Sequence, residues 1–472
     1  MRPTSSRSRL LVVGALVVML AGILRFHRLG DWPFAGDEIL TFPEVDSLFE
    51  GPSVSTIEQK DRLPRLIPLG YLVQYLDYQL FGRDEYGSRV LIALLGTASV
   101  AVIFFGLAPT LGTSAALAAA TLTALWPEHL FQSQQNRFYA AAQLFAAACM
   151  VTGALAVSRQ STWLALASCV AASAALLSHT LQGMLFGGLF GAIAMAALAQ
   201  RWDRAWKLLV TVGAASLVAA AFFLLYLYPL AKGWNATGSW WGYGVTHSVL
   251  ASINQVGWPV GLLALVGTVD VIVGRNSHGW YWAAWGSLWA CATVVLPLFV
   301  TYHPAYVFPL ATSALVLAGA LIGRVFDFFE RQSRLVAWTW MAAACACNLP
   351  STASYFSDGS RHDYRAAARY IQKHWQPGDR VASVAPTLLG HYLSGKDPVF
   401  PVPGGDPVPR LEQLAKEQGR VWIVLSFSRS GKPAKVQRWL RRNCSQETEI
   451  RSPRYDYQDF GVEVFLYPPS RE

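Results

Sequence analysis

The chain has 472 residues, of which 53% are hydrophobic and only 14% charged, and it carries 18 tryptophans. A water-soluble domain of this length does not need so much apolar and interfacial aromatic surface, so the composition excludes a soluble protein and points to the membrane. The net charge of +9 is accounted for by Arg and Lys gathered on one side of a bilayer, which removes the argument for nucleic acid.

A transmembrane helix needs about 20 mostly apolar residues. Eleven segments fit: 10–26, 88–108, 112–127, 137–157, 161–178, 181–199, 206–230, 255–274, 280–300, 305–323 and 335–350. The first has no small-residue cleavage site after it and is read as an anchor, not a signal peptide. The stretch 66–82 is interrupted by Gln74, Asp77 and Gln79, and its tyrosines recur at 71, 75 and 78, so it reads as an amphipathic helix lying in the interface. With eleven spans and the N-terminus inside, the inner loops hold Arg159, then Arg201, Arg204 and Lys207, then Arg275, then Arg324, Arg331 and Arg334. A twelfth span would put the later clusters outside.

On the outer face this topology places the loop 27–87 with the adjacent Asp37 and Glu38, the turn with Glu128, His129 and Arg137, His179, the aromatic loop 231–254 with Lys232, and the turn with Tyr302 and His303. Inner loops are short and basic, with no glycine-rich phosphate cradle. From 351 onward the composition becomes that of a soluble domain. Residues 363–375 have helical periodicity, 380–386, 420–427 and 461–468 read as strands, and helices are expected around 408–418 and 433–443. The fold class is therefore a mostly α polytopic membrane bundle of about 11 helices, residues 1–350, followed by an extracytoplasmic α/β domain, residues 351–472. Five of the six cysteines fall in apolar runs and only Cys444 lies in a polar region, which gives neither a disulfide framework nor a metal site. His129, His179 and His303 are not spaced as a ligand set, and no cofactor is indicated.

An ionisable group at the membrane boundary facing a helix bundle is a functional candidate, the alternative being a solvated loop pair or a helix cap. Adjacent side chains point in different directions, so Asp37 and Glu38 cannot both aim at one atom. Glu38 is then the one that holds its loop, through an Arg such as Arg89. Arg137 either snorkels to anchor its helix end or presents a bidentate fork to a phosphate, with Lys232 as a weaker candidate for that task.

The order of these features carries a resemblance. A first span followed by an acidic pair, an interfacial helix, LFGRDEYGSRV (80–90), QNRFYAAAQLF (135–145) and YHPAYVFPL (302–310) before a late span is similar to the C-superfamily glycosyltransferases. Within them it most resembles the bacterial relatives of protein O-mannosyltransferases and aminoarabinose transferases. The resemblance covers most of the chain. It implies transfer of a monosaccharide from a polyprenyl-phosphate carrier, with inversion, to an acceptor hydroxyl on the outer face of the plasma (inner) membrane. In this family a carboxylate of the first loop is the base, and Asp37 is the matching position. Two departures stand out. Leu63-Pro64-Arg65-Leu66 replaces a His-Pro-Pro-Leu-like run, which bears on acceptor positioning. Ala305-Tyr306 replaces Arg-Tyr, which removes a cation that would meet the lipid phosphate and leaves His303 nearby.

The chemistry sets the roles. Displacement at an anomeric carbon needs a base for the acceptor hydroxyl and cations for the leaving phosphate. The catalytic pair is Asp37 and Glu38, the donor-phosphate group is Arg137, Lys232 and His303, and Arg89 and Tyr139 support the site. The partners are the lipid-linked sugar, an acceptor of unspecified class and the bilayer. The rival functions are a transporter or flippase of lipid-linked sugars, which should show repeats and broken or charged mid-spans, and a polysaccharide ligase or polymerase.

Overall fold

The computed structural model describes residues 4–49, 66–200, 205–231, 245–274, 277–298, 306–359, 361–393, 399–403, 407–417, 419–427, 434–451 and 461–468. They fall into two compact units. The first comprises Met1–His27, Glu44–Arg83 and Gly87–Thr352, and the second Arg28–Pro43, Asp84–Tyr86 and Ala353–Glu472.

Apolar runs with no water to satisfy their amides close their hydrogen bonds within helices. In chain order these are α1 (Thr4–Phe26), α2 (Gly36–Phe49, assigned to the first unit only from Glu44), α3 (Pro68–Phe81), α4 (Val90–Leu111), α5 (Thr113–Ala124), α6 (Pro127–Ser133), α7 (Tyr139–Arg159), α8 (Thr162–Ser178), α9 (Met184–Gln200), α10 (Trp206–Phe222), α11 (Val245–Val256), α12 (Trp258–Val273), α13 (Ser277–Val295), α14 (Phe308–Glu330) and α15 (Arg334–Cys345).

Every one of the eleven expected spans contains helix. Among the described residues, six helices are long and apolar enough to cross a bilayer: Gly87–Leu111, Tyr139–Arg159, Thr180–Ala199, Trp206–Leu227, His278–Leu298 and Phe308–Glu330. The helices Ser248–Val256 and Trp258–Val273 pass the same test only when taken together and are bent by 91°, the geometry of a broken span or a re-entrant loop. The bend sits at Gly257, whose φ of +91° a side chain would resist. The chain thus reads as a multi-pass membrane protein, but eleven spans are not established, because α5 and α15 have 12 residues each. That is short of the about 20 a bilayer asks for. The expected interfacial helix is α3, whose 14 residues are also too few to span.

Helices in lipid associate through small residues that let backbones meet. Gly319 and Gly323 of α14 do this against Ala119 and Ala115 of α5, where a Cβ on Gly319 would come within 2.6 Å of the Ala119 amide nitrogen.

The second unit is built on a mixed sheet of β1 (Arg380–Ser383), β2 (Val399–Pro401), β3 (Val421–Phe427), β4 (Ser445–Ile450) and β5 (Gly461–Tyr467), in the order β2-β1-β3-β5-β4. β1 pairs in parallel with β2 and β3, while β5 runs antiparallel to β3 and β4. Its helices are α16 (Leu349–Asp358, from Ala353), α17 (Tyr364–Lys373), α18 (Pro386–Tyr392), α19 (Val408–Glu417) and α20 (Ala434–Asn443). Side chains alternate across a strand. Val381, Trp422, Val424, Val462 and Val464 therefore meet α17 and α18 on one face, and Val421, Ile423, Leu425 and Phe465 meet α19 and α20 on the other. Phe34 and Ile39, which flank the acidic pair in sequence, belong to the first of these two cores.

Candidate active site

The acidic pair opens α2. Glu38 occupies the third helical position and reaches back, its Oε2 accepting the Ala35 amide at 2.8 Å. This satisfies one of the donors that every helix start leaves open, and it is one half of a capping box. The carboxylate is fully buried, and its counterion is Arg361, whose Nε lies 3.5 Å from the same oxygen. Arg361 is itself fixed by donating from Nη1 to the Gly359 carbonyl at 2.8 Å. Asp37, one residue earlier, is exposed. The helix N-terminus favours a carboxylate at this position. The two members of the pair thus differ in environment: the buried Glu38 fixes the backbone, and Asp37 stands on the exposed side of the same turn.

The segment leading into α2 is held by the same unit. The Phe34 amide donates to the Tyr392 hydroxyl at 2.6 Å, and that hydroxyl donates to Glu85 Oε1 at 3.2 Å. Arg365 pairs with Glu85 at 3.4 Å and donates to the Asp31 carbonyl. His391 packs edge-on to Phe34, and burial lowers its pKa against the opposing pull of Glu85.

A second polar cluster lies within the first unit. Tyr71 of α3 donates to Glu44 Oε2 at 2.6 Å, and Arg137 Nη1 lies 3.6 Å from that oxygen. The Arg137 guanidinium also sits 4.6 Å over the Phe138 ring. Burial raises the Tyr71 pKa, so the phenol stays protonated and remains a donor. Phe138 and Tyr139 both pack on His179, each with ring centroids 5.6 Å away, and Tyr306 closes on the same imidazole at 5.5 Å. Burial, then the charge of Arg137, pushes the His179 pKa down to about 4, which keeps it neutral. Beside them Tyr78 donates to Asn136 Oδ1 at 2.8 Å.

His129 belongs to a third arrangement, where its Nδ1 takes a 2.8 Å bond from Arg25 Nη2. Arg25 donates only, so Nδ1 is the acceptor and the imidazole is neutral. Burial, then the Arg25 charge, lowers its pKa. Among the described residues no group of three His, Cys, Asp or Glu could hold a metal ion.

Asp77 is buried, and its Oδ1 accepts the Leu91 amide at 2.9 Å. Burial pushes its carboxyl up to about 7. A carboxyl raised in the fold contributes stability that is present at low pH, where both states are protonated, and lost as pH rises toward the folded pKa. Asp77→Asn keeps the acceptor and removes the titration. Thermal unfolding across pH 5–8 should show the variant gaining on the parent by on the order of 2 kcal/mol as pH rises. A constant difference across that range would mean that Asp77 is already ionised in the fold at pH 5, so that burial does not raise its pKa.

Of the residues singled out from sequence, the structure brings Arg137 and Tyr139 together around Phe138 and His179 in the first unit, where Arg89 is also buried. Asp37 and Glu38 belong to the second unit. Lys232 and His303 lie outside the described residues. Glu38 has Arg361 as an ion-pair partner, which sequence did not indicate. Glu44, Tyr71 and Arg361 were missed as site residues. Only Tyr71 left a signal, the recurrence of tyrosines along α3.

No protein-family model and no curated protein matches the sequence. Among solved structures the chain is similar to ArnT from Cupriavidus metallidurans in the apo state, with TM-score 0.60 and 14% identity over 96% of this chain and 97% of ArnT. The likeness to the same protein bound to undecaprenyl phosphate has TM-score 0.57 and 14% identity over 95% and 97%. The archaeal oligosaccharyltransferase AglB from Archaeoglobus fulgidus, in complex with an inhibitory peptide and a dolichol-phosphate, matches with TM-score 0.58 and 11% identity over 89% of this chain and 70% of AglB. Identity this low speaks for the fold and leaves the chemistry to the residues. The likeness shows that the chain shares the fold of ArnT and of AglB.

Proposed function

We propose that the protein transfers a monosaccharide from a polyprenyl-phosphate carrier to an acceptor hydroxyl at the extracytoplasmic face of the inner membrane, with inversion at the anomeric carbon. The observation that carries this reading is Asp37, an exposed carboxylate on a helix start that the buried Glu38–Arg361 pair holds in place. Undecaprenyl phosphate in ArnT and dolichol-phosphate in AglB, two proteins of the same fold, support the choice of donor. Residues 1–350 carry the transferase machinery and 351–472 the extracytoplasmic α/β domain, with the part of loop 27–87 that bears Asp37 and Glu38, Arg28–Pro43, belonging to the unit of Ala353–Glu472.

The mechanism assigns Asp37 as the base that takes the acceptor proton while the hydroxyl oxygen attacks the anomeric carbon and the sugar–phosphate bond breaks. The leaving phosphate gains charge in that step. Arg137 meets it, oriented by Glu44, with Lys232 and His303 as further donors. Arg89 and Tyr139 support the site, and neutral His179 keeps Tyr139 and Phe138 in place without adding charge.

Incubating the protein with radiolabelled polyprenyl-phosphate sugars and cell-envelope fractions tests the reading. Label should pass to an acceptor and free polyprenyl phosphate should appear. The bent pair at Gly257 is the one observation that favours the rival, a transporter of the same lipid. Label that crosses a vesicle membrane with its phosphate bond intact would establish the rival instead.

Arg137 is tested apart from the base. Arg137→Ala alone leaves the buried Glu44 without this cation, so the informative variant couples it to Glu44→Gln. Losing a charge-assisted fork to phosphate should weaken binding of labelled polyprenyl phosphate by about 10- to 100-fold. Unchanged binding would remove Arg137 from the phosphate site.

A further inference from the structure

The second unit carries a groove of about 650 Å³ between α19 and α20, within the range of small-ligand sites. Lys435, Arg438, Trp439 and Arg442 line it from α20, Lys416 from α19 and Tyr467 from the end of β5. The α20 residues recur at the first, fourth, fifth and eighth positions of a helical repeat, which puts them on one face. Val436 and Leu440, on the opposite face, are buried in the sheet core.

Three cations on one helix face repel one another, and Lys416 adds a fourth across the groove. Glu412 is the single carboxylate of the lining. Among the described residues no carboxylate lies within ion-pair distance of Lys416, Arg438 or Arg442. The floor has a different character. Trp439 and Tyr467 stack with 20° between their planes and centroids 6.4 Å apart. Both pack in part on the core beneath, so their rings are held in place.

The geometry points to a binding site for an acidic oligosaccharide, whose pyranose faces stack on Trp439 and Tyr467 while its carboxylates or phosphates meet the arginine forks and lysines. This site is independent of the transfer reaction proposed above and uses none of its residues. A bilayer surface fits it less well, because the aromatic rings lie half-buried at the bottom of a groove and not at a tip that could enter lipid.

The test uses the full-length protein in detergent and isothermal titration with four probes at low salt: tri-galacturonate, trehalose 6-phosphate, neutral trehalose and inorganic phosphate. Vesicles containing phosphatidylglycerol are the fifth arm. Binding of tri-galacturonate or of trehalose 6-phosphate, at least about tenfold tighter than neutral trehalose, supports the site and shows which anion it takes. The paired substitution Arg438→Gln and Arg442→Gln should weaken that binding by about tenfold, and Trp439→Ala by a similar factor, with thermal midpoints unchanged. The arginine arm stands alone should Trp439→Ala disturb the fold. Failure of both acidic sugars to bind overturns the inference. So does inorganic phosphate binding as tightly as they do, and so does vesicle binding that depends on the two arginines in the absence of sugar binding.

Discussion

Asp37→Asn should leave donor-lipid binding within about twofold of the parent while transfer falls by about 10²- to 10⁴-fold, the usual worth of a positioned general base. The expectation follows from where the side chain sits. It is exposed at the first turn of α2, so the amide meets no packing constraint. The lost charge at a helix N-terminus costs about 0.3–1 kcal/mol of stability, which is small beside the expected loss of turnover. Glu38 still caps the helix at the Ala35 amide, so the backbone that presents the residue is unchanged. A loss in turnover without a loss in binding therefore reads as removal of an interaction made only in the transition state. Turnover of labelled polyprenyl-phosphate sugar, measured beside its binding, separates the two. Full activity in Asp37→Asn would end the mechanism, whatever the fold.

The helices were legible because their signal is local. Runs such as 88–108 and 137–157 are apolar over most of their length, and a helix satisfies their amides in lipid. The span count was less legible, since hydropathy alone does not register that the helix at 113–124 has 12 residues or that Gly257 bends its neighbours by 91°. In the α/β unit, β3 and β5 announce themselves through Val, Ile and Phe, whereas β4 is the polar SQETEI and β2 only three residues long. Edge strands of that kind carry no hydrophobic pattern to read. The pairing of Glu38 was hidden for a different reason. Arg361 is more than three hundred residues away in sequence, and one arginine among many gives no cue to a long-range ion pair. That Phe34 and Ile39 belong to the α/β core was hidden in the same way, because an apolar residue in a loop does not say which core receives it.

Arg361→Ala should destabilise the second unit by about 3–5 kcal/mol, a large part of the 5–15 kcal/mol that ordinarily holds a domain together. The size comes from asymmetry. Removing one partner strands the other charge in a site where Glu38 is 0% and Arg361 1% exposed, whereas removing both charges together does not. Glu38→Gln with Arg361→Met keeps an oxygen for the Ala35 amide, keeps volume at the arginine position and leaves no buried ion. That double variant should unfold within about 1 kcal/mol of the parent, so the cycle of single and double variants should return a coupling of several kcal/mol. Transfer supplies the second readout. If the pair acts by holding the backbone that presents Asp37, the double variant should retain most of the parent turnover, while Arg361→Ala loses turnover and thermal stability together. An Arg361→Ala protein as stable as the parent would show that the ion pair is not what fixes the start of α2. A stable double variant without turnover would show instead that the Glu38 carboxylate takes part in the chemistry directly.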